Sequence, residues 1–248
     1  MSSNDDQTPN PFTRPSFMLA GAVVTVLVVV AVVLAVLAIR DGGRDEPTAS
    51  TPPSTTTAPS TSSSTPANAD ASICGLPGEV TSGTVKKAPG AKWKYEGTVA
   101  YPTSAKYGPG QTTDDGVRSC FQHSPEGALF AAANSVAVSE DPEAMRAWAE
   151  YFVADSPAKD ALLSEESVDS TGEGRLRLVG YRMLDYDGRS ASVDMATEVT
   201  TNGQKTYVSF VYDLVWEDGD WKLKLDSTDN PLQAAAITSL DGYTEWGE

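Results

Sequence analysis

ASVDMATEVTTNGQKTYVSFVYDLVWEDGDWKLKL, residues 191–225, alternates apolar and polar side chains almost without interruption. Ala191, Val193, Met195, Thr197 and Val199 share one parity, and so do Val208, Phe210, Tyr212, Leu214 and Trp216. Trp221, Leu223 and Leu225 continue the pattern. A period of two belongs to a strand with one face on a core. Asn202-Gly203 and Asp218-Gly219 divide the stretch, and Asp187-Gly188 precedes it. Such pairs tolerate positive φ and mark tight hairpins. The reading is an antiparallel meander of four strands. Its first strand, from Arg175 to Tyr186, alternates less cleanly and carries a bulge near Gly180.

Upstream, Ser124-Pro125-Glu126, Asp141-Pro142-Glu143 and Ser156-Pro157 each set a capping oxygen before a proline at the first helical position. They predict helices over about 125–138, 142–154 and 157–166. Met145, Trp148, Ala149 and Phe152 form one apolar stripe on the second. Helices followed by a run of strands give an α+β fold, with three N-terminal helices packed on one face of a four-stranded antiparallel meander. This domain covers 123–226. Residues 227–248 restart at Asn230-Pro231 with a brief helix; their Leu240, Tyr243 and Trp246 either pack back on the domain or offer a docking site.

Residues 72–122 are punctuated by glycine and proline, and a single short strand near Trp93–Ala100 is expected there. Cys74 and Cys120 are the two cysteines of the chain, and a disulfide between them would close most of this segment.

Toward the N-terminus the composition changes twice. Residues 17–39, FMLAGAVVTVLVVVAVVLAVLAI, contain no charge. As a helix these 23 residues would span about 34 Å, enough for a hydrocarbon core of about 30 Å. The stretch reads as a single transmembrane helix rather than a cleaved signal, whose apolar region is shorter. Residues 1–16 would then be a cytoplasmic tail. Residues 40–71, rich in Ser, Thr and Pro, form a disordered stalk. Flanking charge does not fix the direction; the stalk and the cysteine pair place the C-terminal domain outside the cell membrane.

Charge and residue inventory narrow the function. Residues 72–248 hold 28 Asp plus Glu against 15 Lys plus Arg, a net charge of −13. That sign argues against nucleic acid as a partner. His123 is the only histidine and sits beside a helix cap. Asp114-Asp115 reads as a solvated turn. No metal-ligand spacing, phosphate loop or nucleophile elbow is present, so no cofactor and no catalytic or metal residue is expected. Trp148, Phe152, Tyr181, Phe210, Tyr212 and Trp216 either form ordinary core or line a pocket between sheet and helices. Asp194 and Asp213 lie in strands, on the solvent side by the alternation.

Three helices and a meander ending in Gly219-Asp220-Trp221-Lys222-Leu223 resemble the nuclear transport factor 2-like cone. With an apolar helix in front, they also resemble inner-membrane scaffold subunits of type IV secretion and conjugation machines. Pro102-Thr103-Ser104, Gly108-Pro109 and the run from Ser124 to Asn134 are similar to an actinobacterial family found near integrative and conjugative elements. The resemblance implies a membrane-anchored interaction or scaffold protein, not an enzyme. Its partners would be envelope or transfer-apparatus subunits, or further copies of itself. A small-molecule-binding module is the alternative.

Overall fold

The computed structural model describes residues 72–138, 141–164, 174–225 and 232–248. Among these described residues, ten strands and three helices follow in the order β1 (Lys92–Glu96), β2 (Val99–Thr103), β3 (Gln111–Thr112), β4 (Arg118–Ser119), α1 (Pro125–Val136), α2 (Pro142–Phe152), α3 (Pro157–Ser164), β5 (Gly174–Tyr186), β6 (Ser190–Thr201), β7 (Gln204–Glu217), β8 (Asp220–Leu223), β9 (Gln233–Ile237) and β10 (Thr244–Glu245). The main sheet has six strands in the order β10-β5-β6-β7-β8, with β9 also on β7. Two further two-stranded sheets, β1-β2 and β3-β4, precede the helices.

This architecture corrects the expected fold class. The protein is mainly β, its helices come after four strands rather than first, and the sheet is larger than a four-stranded meander. Two physical reasons account for the difference. Glycine-rich sequence around Gly97 is a hairpin turn, not a break: Gly97 takes φ +55°, and Lys92–Glu96 then pairs with Val99–Thr103. And β8 covers only residues 214–217 of the 14-residue β7, leaving an open edge that Gln233–Ile237 fills. Pairing to that edge overrides the weak strand preference of the Ala234–Ala236 run.

The helix starts follow their caps. The Ser124 hydroxyl accepts the Gly127 N–H at 3.0 Å, and Asp141 accepts from Glu143 and Ala144 at 3.0 Å. Ser156 accepts from Lys159 at 3.1 Å. α1 is buried nearly all round, and its alanines let it lie close across the inner sheet face. At Gly127 a Cβ would meet the Gln122 carbonyl oxygen at 1.8 Å, so only glycine fits there. Arg118, itself buried, donates to the Asn134 and Ala137 carbonyls and closes the helix C-terminus.

Two of the hairpin turns have both central residues at positive φ: Asn202-Gly203 at 52° and 77°, and Asp218-Gly219 at 52° and 76°. In the third, only Gly188 is positive, and the Asp187 carboxylate accepts from Arg189 and Ser190 instead. Register shifts at Leu178/Gly180 and Met183/Asp185 bend β5. The inner face of β6 and β7 buries Val193, Met195, Val208, Phe210, Tyr212 and Leu214.

The C-terminal residues wrap the free edge of β5. Thr244 and Glu245 pair with Tyr181 and Gly180, and Trp246 N–H donates to Val179. Trp246 turns inward and packs edge-on against Trp93, Phe130 and Tyr181, with centroids 5.2–5.6 Å apart. Its indole N–H reaches the Pro89 carbonyl at 3.0 Å.

The transmembrane helix expected over 17–39, with the tail and stalk around it, lies outside the described residues. Among the described residues no helix is long and apolar enough to cross a membrane. The longest, α1, has 12 residues; it would span about 18 Å of a hydrocarbon core of about 30 Å. The expected single-pass membrane localisation is corrected on that finding.

Candidate functional site

One group of interacting ionisable side chains joins α2 to β8. Asp220, fully buried at the start of β8, accepts four hydrogen bonds. Its Oδ1 takes the Phe121 and Trp221 N–H groups at 2.9 and 3.0 Å. Its Oδ2 takes the Cys120 N–H and the Tyr151 hydroxyl, both at 2.6 Å. Lys222, two residues along the same strand face, donates to the Tyr151 carbonyl at 2.7 Å and lies 3.4 Å from the centre of its ring.

Burial pushes the Asp220 carboxyl above the usual carboxylate range, while the Tyr151 hydroxyl and three backbone N–H groups pull the other way. Burial, then the neighbouring Asp220, raises the Tyr151 phenol. Burial lowers Lys222, against the opposing pull of Asp220. Perturbed groups of this kind are catalytic candidates by default. Here both carboxylate oxygens are already saturated by protein donors, which leaves no lone pair for a reacting proton. The arrangement is a clip: it holds the loop before α1 against the sheet.

The same loop carries the disulfide. Cys74 and Cys120 are bonded to each other, with Cα atoms 5.9 Å apart. Cys120 is fully buried and holds φ +71°, a conformation its N–H bond to Asp220 helps to fix. Ser72 donates to the Phe121 carbonyl and Ile73 N–H to the Gly219 carbonyl, so the start of the domain is sewn to the β7–β8 turn.

The six aromatics considered for a pocket do not come together as one lining. Tyr181, Phe210, Tyr212, Phe152 and Trp148 are buried in the core. Trp148 and Phe152 stack on each other at 5.3 Å. Trp216 is half-buried and stacks face to face on His123, 4.0 Å between centroids and 1° between planes. None of the six lines any of three open surface hollows among the described residues, with volumes of 450–680 Å³. His123 is buried, with a ring nitrogen bonded to the Gly188 carbonyl and the other 3.9 Å from Glu79.

Asp114 and Asp115 are exposed in a turn. Asp213 is half-buried, whereas Asp194 is 1% exposed, which corrects the solvent-side reading of that residue. The alternation does place Asp194 on the outer face, but other groups cover it. Arg182 Nε donates to it at 3.1 Å and the Tyr243 hydroxyl at 2.8 Å, with the guanidinium 4.2 Å from the Tyr243 ring centre. It is an ion-paired strut rather than a carboxyl in an apolar cavity. Among the described residues no group of three His, Cys, Asp or Glu side chains is placed to hold a metal ion.

Asp220, Tyr151, Lys222 and Arg182 carry the polar organisation of the domain and were invisible to periodicity. Asp220 and Lys222 occupy the slots that alternation assigns to solvent, and only the packing of α2 against β8 turns those slots inward. The sequence signal was the Asp220-Trp221-Lys222 step, which reads only as the end of the meander and not as a buried polar group.

No curated protein and no solved structure matches this chain. One family model, described as a domain of unknown function (DUF8175), matches residues 53–245. That match spans most of the chain, including every strand and helix described above except the last few residues of the tail, and the chain therefore belongs to the DUF8175 family.

Proposed function

We propose that the domain works by docking to other proteins, not by enclosing or converting a small molecule. The observation that carries this reading is the packing of the aromatic interior. The side chains that would have to open a ligand chamber between sheet and helices are in contact with one another, and Trp246 fills the remaining gap beside Phe130 and Tyr181. The saturated Asp220 carboxylate supports the same reading, because a buried acid with four protein donors has no capacity left for a substrate. What remains for recognition is surface.

The partner class follows from the sequence resemblance to proteins found near integrative and conjugative elements: subunits of a DNA-transfer apparatus, with further copies of the chain as a second arrangement. Cross-linking of the full chain in a host carrying such an apparatus, with identification of the linked peptides by mass spectrometry, tests it. Reproducible links to transfer subunits support the reading. A tightly bound small molecule released on denaturing the purified protein, with no protein links, overturns it.

A further inference from the structure

We propose that the free edge of β1 receives an acidic, extended segment of a partner protein, added as a further strand with its carboxylates against Lys92 and Lys94. This rests on the docking reading above and names its surface.

The first observation is the edge. Among the described residues β1 pairs on one side only, with β2, in a sheet of two strands. Its outer N–H and C=O groups form a strand template. Trp93 anchors that template on the core through Trp246, 5.3 Å between centroids, so the edge is held in extended form before any partner arrives. Little ordering entropy is then left for binding to overcome on this side.

The second observation is charge. Residues 72–112 hold five lysines, Lys86, Lys87, Lys92, Lys94 and Lys106, against Glu79 and Glu96, a net charge of +3. Residues 113–248 hold 10 Lys plus Arg against 26 Asp plus Glu, a net charge of −16. All five lysines are exposed, and among the described residues none forms an ion pair. Both glutamates are engaged, Glu96 by Arg118 at 3.3 Å and Glu79 beside His123. Among the described residues, Arg118, Arg146, Lys159, Arg177, Arg182 and Lys205 are ion-paired, and all lie elsewhere. Lys92 and Lys94 are thus without an ion pair among the described residues, while Glu248 reaches the Tyr95 hydroxyl farther along the same strand. This charge distribution repels an acidic chain from most orientations and draws it to this one.

The same lysines say which strand fits. A second copy presenting its own β1 antiparallel would set Lys92 against Lys94 in the register centred on Trp93, and Lys94 against itself in the register centred on Lys94, which is unfavourable. An acidic strand meets the reverse pairing. Beside the open end of the hairpin, Lys92, Thr103, Ser104 and Gly110 border a hollow of about 680 Å³ with no acidic side chain in its lining, where the segment can continue.

The test uses the full chain and a blocked ten-residue peptide of alternating Glu and Val, at low salt. We expect slowed amide exchange confined to the β1–β2 hairpin. We expect binding about tenfold weaker, a difference of about 1.4 kcal/mol, in K92E/K94E. A version of the peptide methylated on alternate backbone nitrogens should not bind. The milder K92Q/K94Q pair, which keeps these surface positions polar, should fall between wild type and the reversal, so a folding defect in one variant does not decide the result. Protection elsewhere, unchanged affinity in both variants, or equal binding of the methylated peptide overturns the proposal. Tighter binding of a single-stranded oligonucleotide of equal charge also overturns it, in favour of nucleic acid. If the peptide fails while cross-linking still captures transfer subunits, this edge is wrong and the docking reading stands.

Discussion

The Tyr151 hydroxyl donates to the Asp220 carboxylate at 2.6 Å, across 69 positions of sequence, and that bond helps to fasten α2 to β8. It works with the edge pairing beside it, where Ala154 N–H donates to the Leu223 carbonyl at 2.9 Å. Replacing Tyr151 by Phe removes the donor and leaves the ring. A loss of about 1.5 kcal/mol is expected, the usual worth of a hydrogen bond to a charged group, read as a lower urea midpoint with unchanged slope.

Replacing Asp220 by Ala is far more severe. It strands the Cys120, Phe121 and Trp221 N–H groups, of which the first two have no other acceptor in the clip. The expected loss is at least about 3 kcal/mol, from several buried donors left unpaired together. Chemical denaturation measures it. A variant as stable as wild type would show that the clip is dispensable.

Breaking the disulfide acts through the unfolded chain. Cys74 and Cys120 are 46 residues apart, a closure worth about 4 kcal/mol in the chain-entropy model. The double variant C74S/C120S should therefore melt well below wild type. Wild type under reductant should approach it, because Cys74 is half-exposed and open to attack.

On the outer sheet face, Lys205 first and Arg177 second hold the Glu198 carboxyl below the usual glutamate range. A carboxyl lowered in the folded state contributes stability above its unfolded pKa, about 4.3 for glutamate. That contribution is lost as pH falls through the lower, folded value. Lys205 and Arg177 are both exposed, so solvent screening keeps the effect near 0.5 kcal/mol. Melting curves of wild type and E198Q should differ at pH 7 and converge below about pH 4. A gap that persists at low pH would refute the assignment.

Trp246→Ala empties the junction of Trp93, Phe130 and Tyr181. A loss of about 3–5 kcal/mol is expected for a buried aromatic truncated to alanine. Exchange at Leu178–Tyr181 should quicken as the edge of β5 opens.

Local chemistry was legible wherever a residue acts through its own backbone. Ser124, Asp141 and Ser156 mark helix starts because their oxygens bond N–H groups two or three positions on. Asn202-Gly203 and Asp218-Gly219 mark hairpins because both residues of each pair sit at positive φ. The inner faces of β6 and β7 follow their alternation. What could not be read depends on partners far away in sequence. Residues 92–103 become a hairpin that turns at Gly97 because Trp93 has Trp246 to rest on. Gln233–Ile237 becomes a strand because β7 offers an unpaired edge. Asp194 and Asp220 occupy solvent slots by periodicity and are covered by groups from other elements, Arg182 and Tyr243 for the first, Tyr151 and the Cys120–Phe121 backbone for the second. The polar organisation was therefore the least readable part of the molecule, although it is what fastens the elements together.

The wrap of the C-terminal residues around β5 also sets an order of events during synthesis. Until residue 246 has been made, the nascent domain lacks the indole that joins its first hairpin to its main sheet, and β5 keeps an open edge. The hairpin at 92–103 emerges from the ribosome early and must wait for a partner encoded more than a hundred codons later. The long separation makes folding slow to complete and leaves a stretch of translation in which chaperones have an exposed Trp93 to hold.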